Sequence, residues 1–119
     1  MKLPGPDHPI DVAPAPHPVR VRLGGEVVAE TTRALSLREA SYPPVLYIPR
    51  EDARMDLLER TARRTHCPYK GEASYYSISA GGRRAEDAVW SYEAPFPAMA
   101  AIAGHLAFYP DRVDAIEEG

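Results

Sequence analysis

Cysteine is nearly absent from this chain. Of its 119 residues only Cys67 carries a thiol, so no internal disulfide can form. That composition favours a reducing compartment, and the cytoplasm is the expected location. Long apolar runs are missing too: none approaches the roughly 20 residues that a membrane-spanning helix needs. Pro4, Pro6 and Pro9 interrupt the basic-then-apolar order of a secretory leader. An excess of positive charge is also lacking. The formal net charge is −3, so neither a nucleic-acid duplex nor a membrane is an expected partner. His66 has no second histidine at a ligand spacing, because His105 is remote and His8 and His17 lie near the amino end. No metal is therefore expected. No cofactor fingerprint, internal repeat or heptad is visible, and no cofactor is expected.

What is present reads as one domain behind an arm. Six of the 13 prolines precede Val19. Proline lacks an amide donor and holds φ near its polyproline value, so residues 1–18 are expected to form an extended arm and residues 19–119 a single domain. From Val19 the pattern becomes that of strands. Val19 to Leu23 alternates apolar with basic, Gly24-Gly25 turns, and Glu26 to Glu30 returns. This is a two-residue hairpin that places Val21 opposite Val28. Pro43-Pro44 breaks the chain before Val45 to Ile48, a further strand. Pro49 opens a short helical turn with Glu51 and Asp52 near its amino end. A second hairpin runs from Ala73 to Ala80, through Gly81-Gly82, and back along Arg83 to Tyr92. Ala98 to Ala103, between Pro97 and Gly104, predicts a two-turn helix. His105 to Tyr109 and Val113 to Ile116 add strands.

Several segments together are similar to one family. Arg20-Val21-Arg22, Tyr47 to Asp52, Thr65 to Gly71, Ala73 to Ser77, Ala88 to Tyr92 and Ala103 to Tyr109 resemble, in this order, the bacterial and fungal family called domain of unknown function 427. The resemblance covers nearly the whole chain. It implies a mainly β fold, with two antiparallel sheets in a β-tent-like arrangement and one or two short helices, and no established activity. The family sometimes carries a nucleotidyltransferase-like label. This chain has no Gly-Ser motif followed by the paired aspartates that hold two magnesium ions in polymerase-type transferases. Some other β-tent proteins bind zinc through two cysteine pairs, which a chain with only Cys67 lacks. Others hold a small ligand in an aromatic cage.

The segment Thr65-His66-Cys67-Pro68-Tyr69-Lys70-Gly71 concentrates ionisable groups between two strands, where loop chemistry tends to sit. With Gly81-Gly82 as a two-residue turn, Ile78 is expected opposite Ala85, Ser77 opposite Glu86, Tyr76 opposite Asp87 and Tyr75 opposite Ala88. One face then carries Tyr76, Ile78, Ala85 and Val89. The other carries Tyr75, Ser77, Glu86 and Trp90, with Trp90 diagonal to Tyr75. Core packing of those rings and a ligand pocket are equally compatible with the pattern. Arg50 and Lys70 both follow proline-bounded strand ends, and two converging cations suit a phosphate or carboxylate. Arg60, Arg63 and Arg64 extend that patch or form an exposed face.

The leading expectation is a small anionic or aromatic ligand in a pocket lined by the His66–Gly71 loop and the Ala73–Tyr92 hairpin. Arg50, His66, Lys70, Tyr75, Glu86 and Trp90 are its candidate contacts. A second is an enzyme using Cys67 or His66 in covalent or acid–base chemistry, although neighbouring residues of an extended chain point opposite ways. A third is an interaction module whose proline-rich arm docks on a partner or on another copy of the chain.

Overall fold

A computed structural model describes residues 1–119. The chain is mainly antiparallel β, with ten strands: β1 (Ile10–Pro14), β2 (Val19–Leu23), β3 (Glu26–Thr31), β4 (Leu35–Glu39), β5 (Val45–Tyr47), β6 (Leu58–Cys67), β7 (Gly71–Ala80), β8 (Arg83–Ser91), β9 (Ala107–Phe108) and β10 (Ala115–Glu118). They form three sheets rather than the two expected, in the orders β1-β4-β5, β10-β2-β3 and β6-β7-β8-β9. The additional sheet arises because residues of the arm pair with the body. Ile10 lies opposite Glu39 and Pro14 opposite Leu35. Pro14 is tolerated because β1 is an edge strand with hydrogen-bonding partners on one side only. Leu35 and Leu37 alternate with Ser36 and Arg38, the period of a half-buried strand.

The first hairpin turns at Gly24-Gly25 as expected, but Val21 pairs with Ala29 rather than Val28, because a bulge falls between Val21 and Arg22 in the register. Val19, Val21 and Leu23 are buried, each contributing about 1.5–3 kcal/mol by leaving water. The expected helical turn after Pro49 and the expected helix before Gly104 appear as tight 3-10 turns at Arg50–Asp52 and Pro97–Ile102, the latter kinked at Met99, and a third turn at Met55–Leu57 adds to them. Apolar residues and prolines fit a short 3-10 turn, whose hydrogen bonds need only three residues.

Strand β7 organises the interior because both of its faces are covered. Tyr76, Ile78 and Ala80 join Val21, Ile48, Val89 and Phe108 in one apolar cluster. Ala73 and Tyr75 join Leu37, Tyr47, Tyr92 and Ile102 in a second. The expected two-face division of the hairpin therefore holds for its apolar residues. Its register does not. Ile78 faces Ala85, but a bulge then places Tyr76 opposite Val89 and Tyr75 directly opposite Trp90. Asp87 within that bulge has φ 47°, a left-handed conformation. It is held there by its amide donating to Ser77 Oγ at 3.0 Å and by Thr61 Oγ1 donating to its carboxylate at 2.7 Å. A second bulge interrupts β6 between Arg60 and Arg64. The tips of the two glycine hairpins touch: a Cβ added to Gly81 would sit 1.8 Å from the Gly24 carbonyl oxygen. No helix is long and apolar enough to cross a membrane.

Candidate functional site

The His66–Gly71 segment is the turn between β6 and β7, with His66 opposite Glu72 and Cys67 opposite Gly71. The side chains diverge as strand alternation requires. His66 is exposed, 3.7 Å from the Glu72 carboxylate and edge-on to Phe96. Cys67 points the other way and packs against the second apolar cluster. They do not form a nucleophile–base pair. Lys70 folds inward and is buried, with its ammonium on the Glu39 carboxylate of β4 and 3.8 Å from Cys67 Sγ. Glu39 also meets His8 Nε2 at 2.7 Å, and the His8 ring lies flat on Tyr69 at 4.1 Å. Burial pushes the Glu39 carboxyl up, but the bonds from Lys70 and His8 outweigh it and hold the group below the usual carboxylate range. This network ties the amino-terminal segment to the turn and leaves the Lys70 charge compensated.

Arg50 is likewise engaged. Its guanidinium donates to the Gly104 carbonyl at 3.2 Å, the Tyr76 hydroxyl at 3.0 Å and the Glu93 carboxylate at 3.0 Å. Arg60 reaches the same Tyr76 hydroxyl and the same carboxylate. Glu86 stands on the surface beside Arg84 at 2.9 Å. Thus Arg50, His66, Lys70 and Glu86 occupy separate surroundings, while Tyr75 and Trp90 are neighbours across β7 and β8.

Trp90 is the centre of an aromatic group. Its ring is 4.4 Å from Tyr109 and edge-on to Tyr47 at 6.4 Å, and its Nε1 donates to the Tyr47 hydroxyl at 3.4 Å. Burial raises the Tyr47 hydroxyl well above its ordinary pKa, so it stays protonated. Trp90 also walls a cavity of about 230 Å³. All three sheets contribute to that cavity: Leu46 from β5, Val21 and Ile116 from β2 and β10, Trp90 and Phe108 from β8 and β9. Glu118 is the single charged side chain on its lining.

Of the six candidate contacts only Trp90 reaches this cavity. Leu46, Ile48, Phe108 and Ile116 carry only a strand signal in sequence, because no periodicity tells a side chain that lines a hollow from one that fills a core. No local pattern points to Glu39 as the meeting point of His8 and Lys70, because it lies 31 residues from each in the chain.

These features define a small, mainly antiparallel β domain with an apolar cavity where its sheets meet. The chain belongs to the family described as Domain of unknown function (DUF427), which matches residues 11–119. No curated protein matches the chain.

Proposed function

We propose that this domain binds a small molecule with a flat apolar body in the cavity beside Trp90. The observation that carries the reading is the position of that cavity, at the junction of three sheets and walled by the Ala73–Tyr92 hairpin through Trp90. Small-ligand sites are concave, mostly apolar and fitted with few polar groups. A dry apolar cavity of about 150 Å³ accommodates a benzene-sized guest, so about 230 Å³ suits a ligand of one or two rings. Glu118 on the lining favours a ligand that presents a hydrogen-bond donor or a positive charge. The His66–Gly71 turn, whose Lys70 is paired with Glu39, acts in this reading as support rather than as wall.

The chain's single tryptophan is a built-in reporter. Indole, 2-naphthol and quinoline-type amines should give a saturable change in Trp90 emission and raise Tm. A ligand at a hundred times its Kd stabilises by about 2.7 kcal/mol. Leu46→Phe, which narrows the hollow, should weaken every such response, and carboxylate-bearing analogues should bind less well than amines. Absence of any saturable response at millimolar probe, or responses unchanged in Leu46→Phe, would defeat the reading.

A further inference from the structure

The arginines are not all alike in their company. Every one except Arg38, Arg63, Arg64 and Arg112 meets a carboxylate within hydrogen-bonding distance. Arg64 donates instead to Ser74 Oγ at 2.7 Å. Arg63 and Arg112 are exposed and converge on one pair of tyrosines: the Arg63 guanidinium carbon lies 4.9 Å from the Tyr75 ring centre, and that of Arg112 lies 5.9 Å from the Tyr109 ring centre. The two bulges create this convergence. Arg63 belongs to the extra residues that β6 inserts opposite Tyr75, and Arg112 donates to the Glu86 carbonyl, in the bulge of β8, at 2.6 Å. Bulges commonly re-aim side chains in this way.

The same two tyrosines belong to a row of hydroxyls. Thr65 Oγ1 is 2.9 Å from the Tyr75 hydroxyl, which is 3.4 Å from the Tyr109 hydroxyl. Three hydroxyls carry three protons, and two contacts among them use two, so one proton is left to donate outward. Burial pushes the Tyr75 hydroxyl up, yet bonds from Thr65 and Tyr109 and the nearby Arg63 outweigh it and lower its pKa. Burial and the neighbouring Tyr75 push Tyr109 up to about 12. Neither guanidinium has a carboxylate within ion-pairing distance, in a protein whose net charge is −3.

We propose that Arg63 and Arg112, with the hydroxyls of Thr65, Tyr75 and Tyr109, form a binding site for a phosphate group carried by a small molecule. Two guanidiniums from separate elements, each lying over a tyrosine of the hydroxyl row, can serve acceptors in several directions, which matches a tetrahedral phosphate better than a planar carboxylate. The site is distinct from the apolar cavity, although Trp90 packs on Tyr109 and so adjoins both.

Calorimetric titration with inorganic phosphate and phenyl phosphate, at constant ionic strength to remove general screening, tests the site. Saturable binding is expected, with Kd rising at least tenfold in Arg63→Gln and in Arg112→Gln. Arg84→Gln, which removes an arginine already paired with Glu59 and Glu86, should leave Kd within twofold. Leu46→Phe should also leave it unchanged, so failure of the phosphate site and failure of the cavity reading are separable. Both altered arginines are exposed, so their variants are expected to fold, and a circular-dichroism melt verifies this. No saturable phosphate binding up to about 10 mM, or equal affinity in the wild type and both glutamine variants, would overturn the proposal.

Discussion

Replacing Lys70 with methionine tests whether the turn is held by charge or used by a ligand. The side chain is 7% exposed and its partner Glu39 is 18% exposed, so the substitution strands a largely buried carboxylate with only His8 beside it. Removing one partner of a fully buried pair costs about 3–5 kcal/mol. The residual exposure of Glu39 and the remaining His8 contact reduce this to about 2–3 kcal/mol at pH 7. With an unfolding entropy of about 2.1 cal/mol/K per residue, that corresponds to a Tm lower by about 10 °C.

The pH dependence supplies the sharper test. In the wild type Glu39 titrates below its ordinary range, so its contribution is present above the unfolded pKa and is lost as pH falls through the folded value. Without Lys70 the largest influence on Glu39 is burial, which raises the pKa. Protonation then relieves the stranded charge, and the deficit of Lys70→Met should shrink between pH 7 and pH 3. The double variant Glu39→Leu with Lys70→Met should recover most of the lost stability, since apolar replacement of a buried pair is often neutral. Urea unfolding followed through Trp90 fluorescence measures all three proteins. A deficit below about 1 kcal/mol at pH 7, or one that does not change with pH, would refute the reasoning.

Other perturbations bear on the frame and on the Arg50 cluster. Gly81 and Gly82 both have positive φ, 55° and 76°, so alanine at either carries a left-handed strain of about 1–2 kcal/mol. Only at Gly81 would the methyl strike the Gly24 carbonyl, adding about 1–3 kcal/mol of overpacking; equal melts for the two variants would contradict the tip-to-tip contact. Burial raises the Glu93 carboxyl, but bonds from Arg60, Ser74 and Tyr76 outweigh it and keep its pKa low. Its contribution is therefore present above the unfolded pKa and lost as pH falls. Glu93→Gln should cost about 1 kcal/mol at pH 7 with the difference closing by pH 3, and a difference that persists at pH 3 would show that charge is not the cause.

Much of the fold was legible because strand patterns and glycine turns are local. Gly24-Gly25 and Gly81-Gly82 located both hairpins, and Ile78 lies opposite Ala85 as counted from the second turn. Beyond Ile78 the count fails, since the bulge at Asp87 depends on Ser77 of β7 and on Thr61 of β6, two strands away. Strand β4 carries a local period-two signal in Leu35 and Leu37. Strand β1 could not be foreseen in the same way, because prolines mark an extended chain without saying what it lies against. The turn count makes Trp90 diagonal to Tyr75, and the bulge makes the pairing direct. The ion pairs of Lys70 and Arg50 are out of reach of sequence, as each carboxylate partner comes from a distant segment.

By itself the order of residues determined the β class, the turns, the two faces of the long hairpin and the family. Those rest on backbone preferences and alternation, which act between near neighbours. Only the tertiary structure decided that Lys70 ends on Glu39, that three sheets leave a hollow at Trp90, and that Arg63 and Arg112 meet over two tyrosines. Such meetings depend on bulges and on sheet-to-sheet packing, and no short stretch of chain contains the information that sets them.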